Sequence, residues 1–437
     1  DFKNQINPRG NEMESTSVVT RFSTKYASIN QDFPILAKLL SPTDIILVIC
    51  EAYYNNLKVN KPLSFDELKE KINSFELNYA NKQECQKLII EDDILNMEDY
   101  FNDNFSRLVY NNIKDADFFE KISSFVTKIP PEEWKDVFSL FWNFNPQLTK
   151  LFNDLIKQYQ LLNFIDTVYL PIDVVLRDKG TLLDVSRLDE IYETFKGQES
   201  DYAHQTTVFY KDKEANEKTI TFSKPYLCAL TAEVIFVLPE KLKEVKPFLA
   251  HTDLLDFPGT RRFETTNEEN ISDKSLTVLL RRGRVDYLFN KYSSYERLNA
   301  LLFCQNHKQS SQSVMPEKLN RWIGSMIGNS PEERDAFKSS ISPLFIISTW
   351  FNKDMEFDYN NDKSGELQSF NERWYQRFIK TLSGEIIKTS DYEWFNNWTV
   401  SNRFFQNIYL LRDFDKSSET NSQIFRGFNE NSTELEE

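Results

Sequence analysis

Hydrophobic positions change their period twice along the chain. A short apolar run, Val18-Val19-Thr20-Arg21-Phe22, has the length and β-branched content of a strand. From about Phe33 to Gln198 the apolar residues recur at helical intervals instead. Phe138, Phe141, Trp142, Leu148, Leu151, Phe152, Leu155 and Ile156 form a stripe that predicts packed core rather than a ligand surface. Within this block Pro130-Pro131-Glu132-Glu133-Trp134 predicts a helix start with proline in the first turn, and Ser64-Phe65-Asp66-Glu67 a capping box ahead of Leu68. The apolar run from Asp44 to Cys50 is broken by Glu51. It falls short of the ~20 residues that span a bilayer and fits a buried helix.

Strand signals return at Thr206–Tyr210 and Thr219–Phe222, with Lys211–Lys218 between them as a hairpin loop. An ambiguous apolar segment, Leu230–Leu238, precedes a strand that ends at Asp256. The pattern then predicts a helix over 275–292, a strand over 299–304, a helix over 316–340, a strand over 343–349, a helix over 366–383 and a strand over 407–412. Such alternation predicts an α/β fold with a mainly parallel sheet covered by helices. The expected sheet carries strands ending near Phe22, Asp256, Cys304, Thr349 and Leu411. Residues 1–32 and 199–437 are accordingly assigned to an α/β domain, and residues 33–198 to a helical insertion.

Three polar segments follow strand signals. Asp253-Leu254-Leu255-Asp256-Phe257-Pro258-Gly259 ends in Asp-x-Pro-Gly, with Thr260-Arg261-Arg262 next. A carboxylate at such a strand end can reach Mg²⁺ through water, and a glycine N–H can approach a γ-phosphate. Ser15-Thr16-Ser17 leads into Thr20, whose hydroxyl is a candidate Mg²⁺ ligand. Pro343–Thr349 runs into Thr349-Trp350-Phe351-Asn352, where a guanine-binding tetrad would end in Lys-x-Asp. Tryptophan stands for the lysine and asparagine for the aspartate, so Asn352 offers a donor and an acceptor without charge.

In this order the segments resemble the bacterial putative virulence factor family called SrfC-like, whose sequences look like dynamin-related P-loop GTPases. Thr181–Val185, Leu230–Glu233, Val285–Phe289 and Asn407–Arg412 extend the likeness over nearly the whole chain. The resemblance implies a GTPase-type α/β domain and a nucleotide switch with Mg²⁺ and GTP as cofactors. It assigns catalytic roles to Thr20, Asp256 and Gly259, metal contact to Thr20 and Asp256, and nucleotide contact to Thr349 and Asn352. A Walker A loop, Gly-x-x-x-x-Gly-Lys-Ser/Thr, is missing from the ten glycines, and Gly324–Ser330 imitates it with the wrong spacing and no lysine. The resemblance puts that loop and its strand just upstream of Asp1. We therefore expect nucleotide turnover only where an upstream phosphate loop is present, and negligible GTPase activity from these 437 residues. A catalytically inactive scaffold of the same fold, binding partner proteins or itself, is the alternative reading.

Composition narrows the classes further. Net charge is −15, which argues against general nucleic-acid binding. Arg281-Arg282-Gly283-Arg284 is a local basic cluster expected on a solvated face or in salt bridges, without a binding role. Cys50, Cys85, Cys228 and Cys304 lack ligand spacing and are expected as reduced, mostly core thiols. The three histidines form no pattern with acids or nucleophiles. A cytoplasmic location follows as an expectation, with peripheral membrane contact and secretion as an effector left open.

Overall fold

The computed structural model of the protein describes residues 5–6, 16, 18–27, 29–58, 62–105, 108–195, 204–259, 266–294, 298–305, 315–337, 342–349, 351 and 368–411. It divides into two compact units, Asp1–Phe289 and Asn290–Glu437.

The first unit is built on a seven-stranded sheet formed by β1 (Val19–Ser23), β2 (Ile35–Leu39), β4 (Thr167–Leu170), β5 (Gln205–Lys211), β6 (Glu217–Ser223), β7 (Thr231–Val237) and β8 (Leu254–Asp256), in the spatial order β6-β5-β4-β2-β7-β1-β8. β3 (Leu57–Lys58) pairs apart from it with β9 (Thr266–Asn267). Only β1 and β7 of the large sheet run parallel; its other neighbours are antiparallel. The sheet is thus mixed, correcting the mainly parallel expectation. A short connection dictates antiparallel pairing where the sequence reads plainly, as in the β5–β6 hairpin. The pairings of β7 with β1 and β2 bring together segments about two hundred residues apart, which local pattern does not encode.

Helices pack around this sheet. α1 (Pro42–Asn56) starts on Ser41, which forms a capping box with Asp44, and every residue from Asp44 to Tyr54 is buried. α2 (Phe65–Tyr79) has the expected Ser64–Glu67 box. α3 (Glu91–Asn104), α4 (Leu108–Asp115), α5 (Phe118–Ser123) and α6 (Trp134–Phe138) follow, with Pro131–Glu133 forming a 3₁₀ turn before α6. In α7 (Pro146–Leu161) Leu148, Leu151, Phe152, Leu155 and Ile156 are all buried, as the stripe predicts. The stretch 33–198 is largely helical, yet it also contributes β2 and β4 to the interior of the sheet. α8 (Ser186–Phe195), α9 (Lys224–Leu230), the single turn α10 (Leu242–Val245) and α11 (Asp273–Ser294) complete the helices before the second sheet.

The second unit holds a three-stranded sheet of β10 (Leu301–Gln305), β11 (Leu344–Ser348) and β12 (Ile408–Leu410) in the order β10-β11-β12, all parallel. Here the alternation rule holds, because each connection passes through helix. α12 (Met315–Met326) and α13 (Pro331–Ala336) link β10 to β11. The expected single helix over 316–340 is broken where Gly328 takes φ +145 and Ser330 caps α13 ahead of Pro331. The helix Gln368–Trp374 and a π-helix, Tyr375–Ile387, lead toward β12. Leu319, Trp322 and Ile323 of α12 and Leu382, Ile386 and Ile387 of the π-helix close a core over Phe303, Leu344 and Ile346.

Strands expected in one sheet therefore lie in two. Those ending near Phe22 and Asp256 belong to the seven-stranded sheet, and those ending near Cys304, Thr349 and Leu411 to the three-stranded one.

Candidate functional site

β1 alternates its side chains between two faces, Thr20 and Phe22 on one, Val19, Arg21 and Ser23 on the other. β8 lies antiparallel against it with Thr20 opposite Asp256, Arg21 opposite Leu255 and Phe22 opposite Leu254. Directly opposed residues project to the same face with Cβ atoms roughly 5 Å apart. Sheet register thus brings together the two residues chosen for metal contact. Thr20 is buried, and Phe22 beside it stacks on Phe236 with ring centroids 5.5 Å apart. Asp256 sits in the edge strand with exposed surface, while the protein packed around its carboxyl pushes it up from the ordinary carboxylate range. No hydrogen bond reaches the side chain of Thr20 or Asp256 among the described residues.

The opposite face carries a charge network that sequence reasoning missed. Arg21 donates from Nε and Nη2 to the two carboxylate oxygens of Glu233, at 2.6 and 3.0 Å, and from Nη1 to Asp253 at 2.9 Å. Ser23 Oγ donates to the other Asp253 oxygen at 2.7 Å, and Lys25 Nζ lies 3.7 Å from it. Glu233 is wholly buried, which a carboxylate tolerates only with such a bidentate partner. Burial alone would raise the Asp253 carboxyl, but the Ser23 hydroxyl, the Arg21 guanidinium and Lys25 together hold it below its ordinary value. This network ties β7, β1 and the start of β8 into one edge, so Asp253 is committed to structure and Asp256 is not. A single charge inside the apolar runs Val18–Phe22 and Thr231–Val237 was the available signal.

Phe257 follows with its ring 6.2 Å from that of Phe289, and Pro258 is buried. Gly259 is exposed, and a Cβ there would meet nothing within 4 Å. Thr260, Arg261 and Arg262 lie outside the described residues. His251 is exposed, and its carbonyl accepts from Lys25 Nζ at 3.3 Å.

Thr349 belongs to the other unit. It continues β11 by one residue, with N and Oγ1 both donating to the carbonyl of Gln305, at 2.8 and 3.2 Å, and its own carbonyl accepts from Arg377 Nη2 at 2.7 Å. Its hydroxyl joins the ends of β10 and β11. Asn352 lies outside the described residues. The expected single sheet would have gathered all these strand ends; the structure places Thr20, Asp256 and Gly259 with one sheet and Thr349 with another.

Thr20 and Asp256 offer two oxygen donors, and no group of three His, Cys, Asp or Glu suited to a metal occurs among the described residues. Such a pair fits Mg²⁺ only where phosphate and water complete its octahedron. The stretch that imitates a phosphate loop is a helix end. A Cβ on Gly324 would stand 2.2 Å from the side chain of Asn329, and Gly328 needs its left-handed φ to turn from α12 into α13. Among the described residues no helix is long and apolar enough to cross a membrane.

No curated protein and no solved structure matches the chain. Residues 1–426 match a bacterial family described as "putative bacterial virulence factor". With nearly its whole length matched, the chain belongs to the putative bacterial virulence factor family.

Proposed function

We propose that this chain carries the metal-facing part of a GTPase-like nucleotide switch of the dynamin-related kind, with Thr20 and Asp256 acting on one Mg²⁺-nucleotide. The observation that carries the reading is their direct opposition on β1 and β8, on a face where the Asp256 carboxyl is crowded by protein and receives no hydrogen bond from the described residues. A carboxylate held in that way gains more from a cation than one already tied down, as Asp253 is. Mg²⁺ would take Thr20 and Asp256, directly or through water, and draw its remaining oxygens from phosphate. β8 supports the same reading, since its outer edge is unpaired among the described residues and can accept a further strand. A phosphate-binding strand and loop paired with that edge would supply the cradle that the ten glycines do not form.

The competing scaffold reading draws on the second unit, where the Thr349 hydroxyl is occupied by the Gln305 carbonyl. The two readings separate in one comparison. A longer form carrying a phosphate loop is expected to hydrolyse GTP, and Asp256→Ala to lower single-turnover hydrolysis about 10²-fold, the scale of one lost transition-state contact. Mg²⁺ dependence should weaken while nucleotide binding changes less. The 437-residue chain alone should turn over negligibly. Equal hydrolysis and unchanged Mg²⁺ dependence in Asp256→Ala would remove the metal role, and absence of nucleotide binding by the longer form would favour the scaffold.

A further inference from the structure

A cavity of about 500 Å³ lies in the helical part of the first unit, walled by α6, the 3₁₀ turn Ser139–Trp142 and the first turns of α7. That is the size of a small-molecule site. Ser139 lines it and is 2% exposed. Its Oγ makes no hydrogen bond among the described residues and is not sealed from solvent, so the little surface it keeps opens on the cavity. A buried hydroxyl with no partner is uncommon, and Thr149 on the same wall shows the ordinary case. Thr149 Oγ1 donates to the Asn145 carbonyl at 2.7 Å and accepts from Trp142 Nε1 at 2.9 Å. Ser139 alone of the two keeps hydrogen-bonding capacity for a ligand.

The charge around the hydroxyl selects the ligand. Lys135 and Lys150 both line the cavity, in a chain whose net charge is −15. Pro146, the first residue of α7, lines it too, so this wall is the positive end of a 16-residue helix. Lys135 Nζ is held by both oxygens of Asp136, at 2.8 and 2.9 Å, but an ammonium has a third hydrogen to give. The remaining wall is apolar. The chain twice sets an Asn-Phe pair in the left-handed region, at Asn143-Phe144 and at Asn163-Phe164. Phe164 packs on Trp134 and Tyr159, with ring centroids 5.8 and 5.2 Å apart. Phe144 has no ring partner among the described residues; it walls the cavity, and Lys71 Nζ lies 5.7 Å from its ring centre.

We propose that this cavity binds a small organic phosphate monoester, whose phosphate oxygens accept from Ser139 Oγ, Lys135 Nζ and Lys150 Nζ and whose body lies against Phe144 and Pro146. A phosphate monoester carries nearly two negative charges at neutral pH, which two ammonium groups and a helix N-terminus balance. An inorganic phosphate alone would leave the aromatic wall uncovered. Asp136 sets the limit on affinity, because its carboxylate competes with the ligand for Lys135 and repels it. The site shares no residue with the Thr20–Asp256 pair, needs no Mg²⁺ and does not rest on the nucleotide-switch reading.

The test is calorimetric titration of the whole chain with phenyl phosphate in the absence of Mg²⁺. Phenyl phosphate should bind saturably and about tenfold more tightly than inorganic phosphate, which lacks the ring, and phenol should not bind detectably. Lys135→Gln and Lys150→Gln should each weaken binding about tenfold, the scale of one charged hydrogen bond. Ser139→Ala should weaken it about threefold and leave the melting temperature of the free protein unchanged, since the hydroxyl has no bond to lose. Asp136→Asn should tighten binding about threefold, which a purely structural carboxylate would not do. Asp256→Ala should bind as the parent does. No saturable binding, or binding untouched by the lysine and serine variants, would overturn the proposal. Equal affinity for inorganic and phenyl phosphate would reduce the site to a surface anion, and loss of binding in Asp256→Ala would move the ligand to the β1–β8 edge; either result overturns it. A phosphoserine tetrapeptide that binds more tightly than phenyl phosphate would make the occupant a modified protein and overturn the small-molecule assignment.

Discussion

Gly283→Ala is expected to destabilise the first unit, because a Cβ at this position of α11 has no room. Gly283 sits where α11 crosses α1, and a Cβ there would lie 2.2 Å from the carbonyl oxygen of Val48, 2.9 Å from the nitrogen of Ala52 and 3.0 Å from the Ala52 Cβ. Ordinary contact begins near 3.4 Å, so the crossing must open by about 1 Å. All the obstructing atoms belong to backbone or to a short rigid side chain, in a helix buried from Asp44 to Tyr54. Overpacking of this kind costs about 1–3 kcal/mol. A further loss comes from the next residue. Arg284 is wholly buried and donates from Nη1 and Nη2, each at 2.6 Å, to the carbonyls of Cys228 and Thr231 at the end of α9. Those carbonyls stand at the negative end of a helix and serve the guanidinium where no carboxylate bonds it. A shift of α11 stretches both bonds, each worth about 1.5–3 kcal/mol when charged. Alanine returns about 1 kcal/mol of helix propensity. The net is about 2–4 kcal/mol, or on the order of 5–15 °C in the melting temperature of a unit this size. Thermal and urea unfolding followed by circular dichroism would measure it. Gly384→Ala is the control, because its Cβ would meet only the Ile379 carbonyl at 3.4 Å, and it should be neutral or slightly stabilising. A Gly283→Ala protein that melts at or above the parent temperature would show that the crossing is not close and would refute the reasoning.

Two further outcomes follow from charges and thiols. The Asp253 carboxyl is held below its unfolded value, so its contribution to stability is complete above the ordinary carboxylate range and is lost as pH falls through the lower folded value; Asp253→Asn should be less stable near neutrality and show a smaller acid-induced loss, and an unchanged pH profile in urea unfolding would contradict the assignment. Cys85 and Cys304 are exposed and Cys50 and Cys228 buried. A thiol reagent should therefore modify two cysteines in the native protein and four after denaturation, with burial and then the neighbouring Glu51 charge further suppressing Cys50. Four fast-reacting native thiols would show that the α1 and α9 cores are open.

Much of the fold was legible, and its failures have identifiable causes. The β5–β6 hairpin, α1, the Ser64 box and the α7 stripe each depend on contacts within about twenty residues, which is the range over which a period or a cap is written into sequence. β2 and β4 were absorbed into the helical block because short, mostly apolar runs such as Ile35–Leu39 and Thr167–Leu170 fit a strand or a turn of buried helix equally. The break after α12 was written plainly, as Gly328-Asn329 followed by Ser-Pro-Glu-Glu, and the helical period across it hid the signal. Strand pairing was not written at all. Parallel order held where helices join consecutive strands, in β10–β12; in the large sheet the distant pairs β1–β7 and β2–β7 run in opposite senses, parallel and antiparallel, so neither direction nor partner could be read from the chain.

The candidate site shows the same division between local and distant information. Thr20 and Asp256 could each be chosen from a strand end, but their opposition depends on a register fixed elsewhere, by Arg21 gripping Glu233 on one neighbour and Asp253 on the other. A one-residue slip of β8 would exchange its faces, carrying Asp256 away from Thr20 and Asp253 away from Arg21 together. Asp253 would lose the Arg21 and Ser23 donors that hold it, which makes that slip costly by about 1.5–3 kcal/mol for each charged hydrogen bond lost. The network on one face of the edge therefore sets the geometry on the other. Arg281–Arg284 teaches the complementary point: read as a cluster on a solvated face or in salt bridges, it contains a glycine required by a helix crossing and an arginine with no exposed surface. In both places a charge set inside an apolar period marked a structural anchor, and Asp256, whose side chain receives no hydrogen bond from the described residues, is where binding chemistry is to be sought.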